Sequence, residues 1–418
     1  MSNNLKVTDK LAAVALDIFK QTSHVAQHST RSYEQEFNAG AKIGDNCRIK
    51  IPSRYALQTG NNRTNPQAIE QQTRNLTLNQ NKYVSLNLTS QELAVFTGTD
   101  AKAQQEILEQ PIANLARYVD TYCFGLMNSA ANATIQKLAI DMSGNATDDV
   151  TVKDVARMNS MLGSQLAPYD RVVAASPFDL ASIQRSQLGL FNPSKDVSDA
   201  YHSGMAGSGL GFGKWIETVA TGTQTVGTAT TATTSAAVAS DGLVAIPISS
   251  LYGFAFAGQA LTVSGVYMID PQTLTGIPQL ATLTLSADAP AGSTTLYVVN
   301  PLYSAGGSSL TLANVSALPA NGATVTFIEA ITAKTTQVGK TAYNLVGWTK
   351  KAFALAFMHQ PDDLAGAEAR SITEDGVSIR IIKQYQSRSN SMDLIADLQF
   401  GALVTRPEWI VTQTGVFQ

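Results

Sequence analysis

Apolar positions recur at three- and four-residue spacing in some stretches of the chain and at two-residue spacing in others. Leu11, Val14, Ala15 and Ile18 share one face of a helix predicted over residues 5–29, with Asp9, Lys10, Asp17 and Lys20 mostly off it. Leu108, Ile112, Leu115, Val119, Tyr122 and Leu126 step by 4, 3, 4, 3 and 4. That stripe predicts a long helix between about Asp100 and Leu138. Pro111 lies inside the pattern, where it should kink the helix or mark its first turn. The stripe is too short for a coiled coil, so packing on a sheet is the favoured use.

Alternation marks the strands. Cys47-Arg48-Ile49-Lys50-Ile51 and Leu76-Thr77-Leu78 read as two strands joined through turn residues around Gly60 to Pro66. They lie in a polar segment, residues 30–82, short of large apolar side chains. A hairpin of that composition buries little alone and needs a partner surface. Tyr83 to Leu88 alternates as a further strand. Residues 150–215 read as an α/β unit. Its parts are a helix through Val152, Val155, Met158 and Leu162, a buried strand Arg171 to Ala175, and a helix Phe178 to Ile183 after Ser176-Pro177. Lys351 to Met358, Val377 to Gln384 and Leu394 to Ile410 supply the closing strands.

One change of composition is abrupt. From Thr218 to Phe327 the only charged residues are Asp241, Asp270 and Asp288. Alternating pieces at Leu261–Val263, Ala281–Leu285, Thr295–Val299 and Ala323–Phe327 predict a small barrel or sandwich, an all-β insertion over residues 217–340. It interrupts a parent domain that resumes after it.

The whole chain has 418 residues, 15% of them charged, and a formal net charge of −3. That balance argues against a dedicated nucleic-acid binder. Cys47 and Cys123 are far apart and outside any CxxC pair, which predicts free thiols in a reducing compartment. The first residues have no apolar signal-peptide core, and no stretch matches a membrane span, so synthesis in the cytosol is expected. The Asn-x-Ser/Thr sequons at Asn62, Asn75, Asn87, Asn132, Asn145 and Asn314 are then chance occurrences.

Candidate chemistry is sparse. His24 and His28 have the spacing of a shared metal site, but no third ligand completes one. The other histidines, His202 and His359, are near no nucleophile motif. Gly207-Ser208-Gly209-Leu210-Gly211-Phe212-Gly213-Lys214 resembles a phosphate loop, yet Trp215 stands where Ser or Thr is required, and a flexible connection is the favoured reading. Asp148-Asp149 and Asp362-Asp363 fit solvated loops. No catalytic residue, cofactor or metal is expected.

Taken in order, these elements resemble the major capsid (coat) protein of tailed double-stranded-DNA phages, and within it the branch of short-tailed temperate enterobacterial phages with an inserted β-barrel. Leu108-Glu109-Gln110-Pro111-Ile112-Ala113-Asn114-Leu115-Ala116 through Val119-Asp120 is similar to the start of that family's spine helix. Arg171-Val172-Val173-Ala174-Ala175-Ser176-Pro177 with Asp179 is similar to the strand and helix of its axial domain. Gly211-Phe212 stands where the family's Gly-Phe precedes the insertion. Asp397-Leu398-Gln399-Phe400-Gly401-Ala402 and Thr405-Arg406-Pro407-Glu408 resemble its closing strands and Arg-Pro-Glu turn.

The resemblance implies an α+β protein with the Hong Kong phage capsid fold. Its parts would be an N-terminal arm (1–38), an extended hairpin (39–82), a peripheral domain (83–145 and 376–418), an axial domain (146–216 and 341–375) and the insertion. The implied partners are other copies in hexamers and pentamers, scaffolding protein during assembly, portal protein, and packaged double-stranded DNA held without sequence specificity. No membrane partner is implied. Each hairpin would reach over a neighbour, with Arg48, Lys50, Arg54, Arg63 and Arg74 as candidate inter-subunit contacts, and Arg54 and Arg63 paired with acidic groups there. Some relatives crosslink a hairpin lysine to an Asn. Lys42 and Lys50 lie in that region, but no catalytic carboxylate is identifiable and no crosslink is expected. Two other readings stay open, a different virion protein of the tail or decoration type and a soluble α/β enzyme.

Overall fold

The computed structural model describes residues 5–32, 46–57, 70–89, 92, 101–130, 133–135, 150–187, 211–225, 227–307, 309–328, 341–364, 366–387 and 389–417. The chain divides into two units. The first comprises Met1–Ile49, Arg74–Cys123 and Phe353–Thr405, and the second Lys50–Thr73, Phe124–Ala352 and Arg406–Gln418.

The first unit is built on an antiparallel sheet ordered Phe353–Phe357, Ser391–Val404, Val377–Gln386, Ala367–Glu374 and Asp363–Leu364. Gln80–Thr89 also pairs with Ser391–Val404, from Thr89 opposite Ser391 to Gln80 opposite Phe400. The strand Ala367–Glu374 is not predicted above. It turns into Val377–Gln386 through Asp375 (φ 51) and Gly376 (φ 76), both left-handed, a geometry matched to the twist of a two-residue hairpin. Apolar side chains from this sheet meet helices. Phe19 of the helix Leu5–Thr22 packs edge-on against Phe357 at 5.8 Å, and Tyr118 and Tyr122 pack edge-on against Phe400.

The N-terminal helix stops at Thr22, and a separate turn His24–Gln27 follows, so the continuous helix predicted to residue 29 is broken at Ser23. The long helix runs Ala101–Ala130. Pro111 lies well inside it and is not its first turn. The helix ends before Leu138, because Ala133–Ile135 forms a short parallel strand beside Ile410–Phe417. Its buried positions include Ile112, Ala116, Val119, Asp120, Cys123 and Met127, whereas Tyr122 and Leu126 are only half-buried. A stepping of 3.5 drifts against a 3.6-residue turn, so the buried face leaves the predicted stripe as the helix proceeds.

In the second unit a mixed sheet is ordered Ala133–Ile135, Ile410–Phe417, Thr341–Thr349, Arg171–Ala175 and Lys214–Glu217. The helices Val152–Ser164 and Pro177–Gln187 bring Val155, Met158, Leu162 and Ile183 to one core with Val173, Phe212, Leu345 and Val411. Phe124 meets Trp348 edge-on at 5.7 Å. The Ser176-Pro177 signature has a local cause. Asp179 N–H donates to Ser176 Oγ at 3.2 Å, and Ser176 Oγ donates to Asp179 Oδ2 at 2.6 Å, with proline at the first helical position. The described end of the glycine run, Gly211 to Gly213, leads into a strand where Lys214 is exposed, and that part opens no helix that could bind phosphate.

Among the described residues 227–328 is all β. One sheet is ordered Gly276–Thr284, Ala260–Ile269, Thr324–Phe327 and Thr231–Thr233, and Leu243–Pro247 pairs with Thr295–Leu302. Ile246, Leu261, Val263, Leu296, Val298 and Val325 share one core. The three carboxylates serve the loops. Asp241 accepts from Ser304 N–H at 2.9 Å, Asp270 from Gln272 N–H at 2.7 Å, and Asp288 from Ala257 N–H at 2.8 Å. Each supplies an acceptor to a backbone N–H outside the named strands.

Candidate assembly surfaces

The arm's break is organised by one side chain of the long helix. Asp120, 2% exposed, accepts hydrogen bonds from Ser23 Oγ (2.8 Å), His24 N–H (2.9 Å) and Val25 N–H (3.1 Å). It caps the short turn His24–Gln27 from outside. Burial pushes the Asp120 carboxyl above its ordinary value, and these donors and the nearby His24 pull against that rise. Thr30 then joins the sheet, its N–H donating to Phe353 O at 2.9 Å and its carbonyl accepting from Leu355 N–H at 3.0 Å.

Lys20 Nζ lies 2.9 Å from both Glu374 Oε2 and Asp375 Oδ2 at the hairpin turn. Burial pulls the lysine down, but the two carboxylates outweigh it and raise it. The hydrogen bond and charge of Lys20 hold Asp375 below the usual carboxylate value.

The predicted hairpin strands are Asn46–Ile51 and Gln72–Thr77, paired with each other. Cys47, Ile49, Leu76 and Leu78 pack with Ala354 and Ala356, while Arg48 and Lys50 are exposed on the alternate positions. Arg74 Nη1 donates to Val404 O at 2.8 Å. Arg54 Nη1 donates to Ala313 O at 2.8 Å, and its Nη2 lies 3.1 Å from Glu408 Oε1. Where the sequence leads one to expect a carboxylate from an adjacent subunit, the carboxylate beside Arg54 is therefore Glu408 of the same chain. Arg63, Lys42 and the turn from Gly60 to Pro66 lie outside the described residues. Tyr55 and Leu57 are exposed, Leu57 at 95%.

Both cysteines are buried thiols outside any disulfide, and burial together with Asp120 pushes the Cys123 thiol well up. Among the described residues no cluster of His, Cys, Asp or Glu could hold a metal ion, and no helix is long and apolar enough to cross a membrane. His24 reaches Asp120 through its backbone N–H. The role of Asp120 escapes a reading by residue class, because a charged residue looks like a solvated position. The available signal is its place four residues beyond Ala116 and eight beyond Ile112, on the buried face.

Comparison with known proteins first gives the class, which is the coat proteins of bacteriophages. The family model described as P22 coat protein, gene protein 5, matches residues 2–415, and the chain belongs to that family. It is a major capsid protein, and copies of it form the phage shell. Its place is the virion capsid. No curated protein sequence matches it. Solved structures with similar folds include one from Mycobacterium phage Che8, 12% identical over 92% of this chain and 88% of that one, with a TM-score of 0.43. Another is the mature capsid of bacteriophage PhiM1, 10% identical over 89% and 82%, with a TM-score of 0.40. A virus-like particle from Pyrococcus furiosus is 9% identical over 97% and 99%, with a TM-score of 0.40.

Proposed function

We propose that the chain assembles into an icosahedral shell of hexamers and pentamers by laying its hairpin over a neighbouring copy. The observation that carries this is the division of the strand Asn46–Ile51. One row of side chains, Cys47 and Ile49, is buried within the subunit, and the other row, Arg48 and Lys50, is left to solvent. Tyr55 and Leu57 extend that exposed surface with apolar area. A neighbour that covers these residues would bury on the order of 2,000 Å² in an obligate interface, which offsets the cost of ordering a polar arm.

In this reading the chain has the Hong Kong phage capsid fold, with residues 217–340 inserted into the axial domain as a domain of their own. It is made in the host bacterial cytoplasm and assembles on scaffolding protein with a portal at one vertex. It holds double-stranded DNA by confinement, which its near-neutral charge suits, and it needs no cofactor and catalyses no reaction. Negative-stain electron microscopy of the chain expressed alone and with its scaffolding protein tests the reading. Closed shells, or sheets and tubes of capsomer-like rings, are expected. Uniform small particles under both conditions would overturn it.

A further inference from the structure

We infer that the insertion braces the hairpin: Thr311 and Ala313 of the insertion, with Glu408 of the turn 406–409, grip the leg bearing Arg54, and through it the other leg, before any neighbour is met. This rests on the coat reading and gives the insertion a role within it.

The grip has polar and apolar parts. Ser53 Oγ donates to Glu70 O at 2.6 Å, which ties one leg to the other. Arg54 spans the seat, with its backbone N–H 3.4 Å from Thr311 Oγ1, Nη1 on Ala313 O and Nη2 on Glu408. Ala56 packs on the buried cluster of Ile269, Leu274 and Ala313. The arginine and Glu408 side chains are each only 19% exposed, so their charges attract through less water than a surface pair does.

The seat itself is stiff. Asp241 accepts from both the N–H and Oγ of Ser304, at 2.9 and 3.0 Å. Gly307 lies so close to Asp241 that a β-carbon there has no room. Asn314 accepts from Tyr303 N–H at 2.9 Å and donates to Pro301 O at 2.8 Å. The turn bearing Glu408 is fixed from the other side, since Arg406 stacks 4.1 Å over Trp409 and Trp409 Nε1 donates to Gln165 O at 3.0 Å. Gln165 Nε2 in turn reaches Ile269 O at 3.3 Å. Three segments distant in sequence thus converge on the leg bearing Arg54 and Ala56, which Ser53 ties to the other leg. A segment almost free of charge spends one of its three carboxylates on stiffening the loop that receives the Arg54 leg.

Amide hydrogen exchange on the full-length unassembled chain tests this, with electron microscopy of the assembled product. Glu408→Gln removes the charge beside Arg54, and Asp241→Asn loosens the seat without touching the hairpin. Both are expected to speed exchange across 50–57 and 70–73 by about tenfold, with Ala260–Ile269 still protected, and to lower the yield of closed shells. Unchanged exchange in the hairpin legs of both variants would overturn the brace. So would faster exchange confined to the insertion in Asp241→Asn with none in Glu408→Gln. Wild-type chain that forms no shells would overturn the coat reading instead, so the two failures are told apart.

Discussion

The carbonyl oxygen of Thr77 passes 2.1 Å from the point that a β-carbon on Gly401 would occupy, and Leu78 Cα lies 3.1 Å from it. The Phe400-Gly401-Ala402 signature therefore records a backbone crossing. The return leg of the hairpin runs directly over the strand Ser391–Val404, and only glycine leaves space for it. Gly401→Ala is expected to destabilise the subunit by about 2–3 kcal/mol, because the obstacle is main chain and cannot rotate away. Urea unfolding of unassembled chain measures this, and an unaltered midpoint would show that the crossing is looser than described.

Asp120 offers two tests. Asp120→Ala leaves Ser23 Oγ and the N–H groups of His24 and Val25 without their acceptor, at a cost of roughly 2–4 kcal/mol, and limited proteolysis should then cut near Ser23. Asp120→Asn tests the charge. Because the folded carboxyl sits above its ordinary value, the folded state binds the proton more tightly than the unfolded chain does. Wild-type stability should therefore fall, relative to Asp120→Asn, as pH rises from the ordinary carboxylate range through the raised value. Parallel melting curves for the two chains across mild acid would contradict this.

Turn and ion pair can be separated at Asp375. Asparagine adopts the left-handed conformation as readily as aspartate, so Asp375→Asn keeps the turn and removes one partner of Lys20. Asp375 is held low and Lys20 is held high, so the pair's contribution is lost as pH falls through the depressed carboxylate value. It is lost again as pH rises through the raised lysine value above 10.5. Between those limits the variant should differ from wild type in low salt and converge with it in high salt. Melting temperatures over a salt series decide the matter.

Reversal of Arg48 and Lys50 together, Arg48→Glu with Lys50→Glu, probes the exposed row of the hairpin. Both side chains are solvent-facing, so subunit stability should change by no more than about 0.5 kcal/mol. Shell yield should fall severalfold. Full assembly of the double variant, counted by electron microscopy, would remove these residues from the interface.

Elements that one physical rule governs are legible in the sequence. Arg171–Ala175 reads as a buried strand from its apolar run, and its bounds agree with those observed. The alternation of Asn46–Ile51 reveals which side chains turn inward. Elements settled by tertiary partners are less so. The chain beyond Ala130 looks helical until Thr134 and Ile135 find the strand Ile410–Phe417. Ala367–Glu374 lacks clean alternation, although Asp375-Gly376 marks its turn. Arg54 reads as a partner for a neighbour's carboxylate because Glu408 and Ala313, which it meets, are distant from it in sequence.

The near absence of charge between Thr218 and Phe327 matters most once the chain is multiplied. Any charge on a repeated part is repeated with it, and the self-repulsion of like charges brought close together grows with each copy. A module with three carboxylates, all engaged as loop acceptors, adds little to that repulsion however closely its copies stand. Crowding by symmetry then costs it almost nothing electrostatically, and the ionic strength around it has little left to screen.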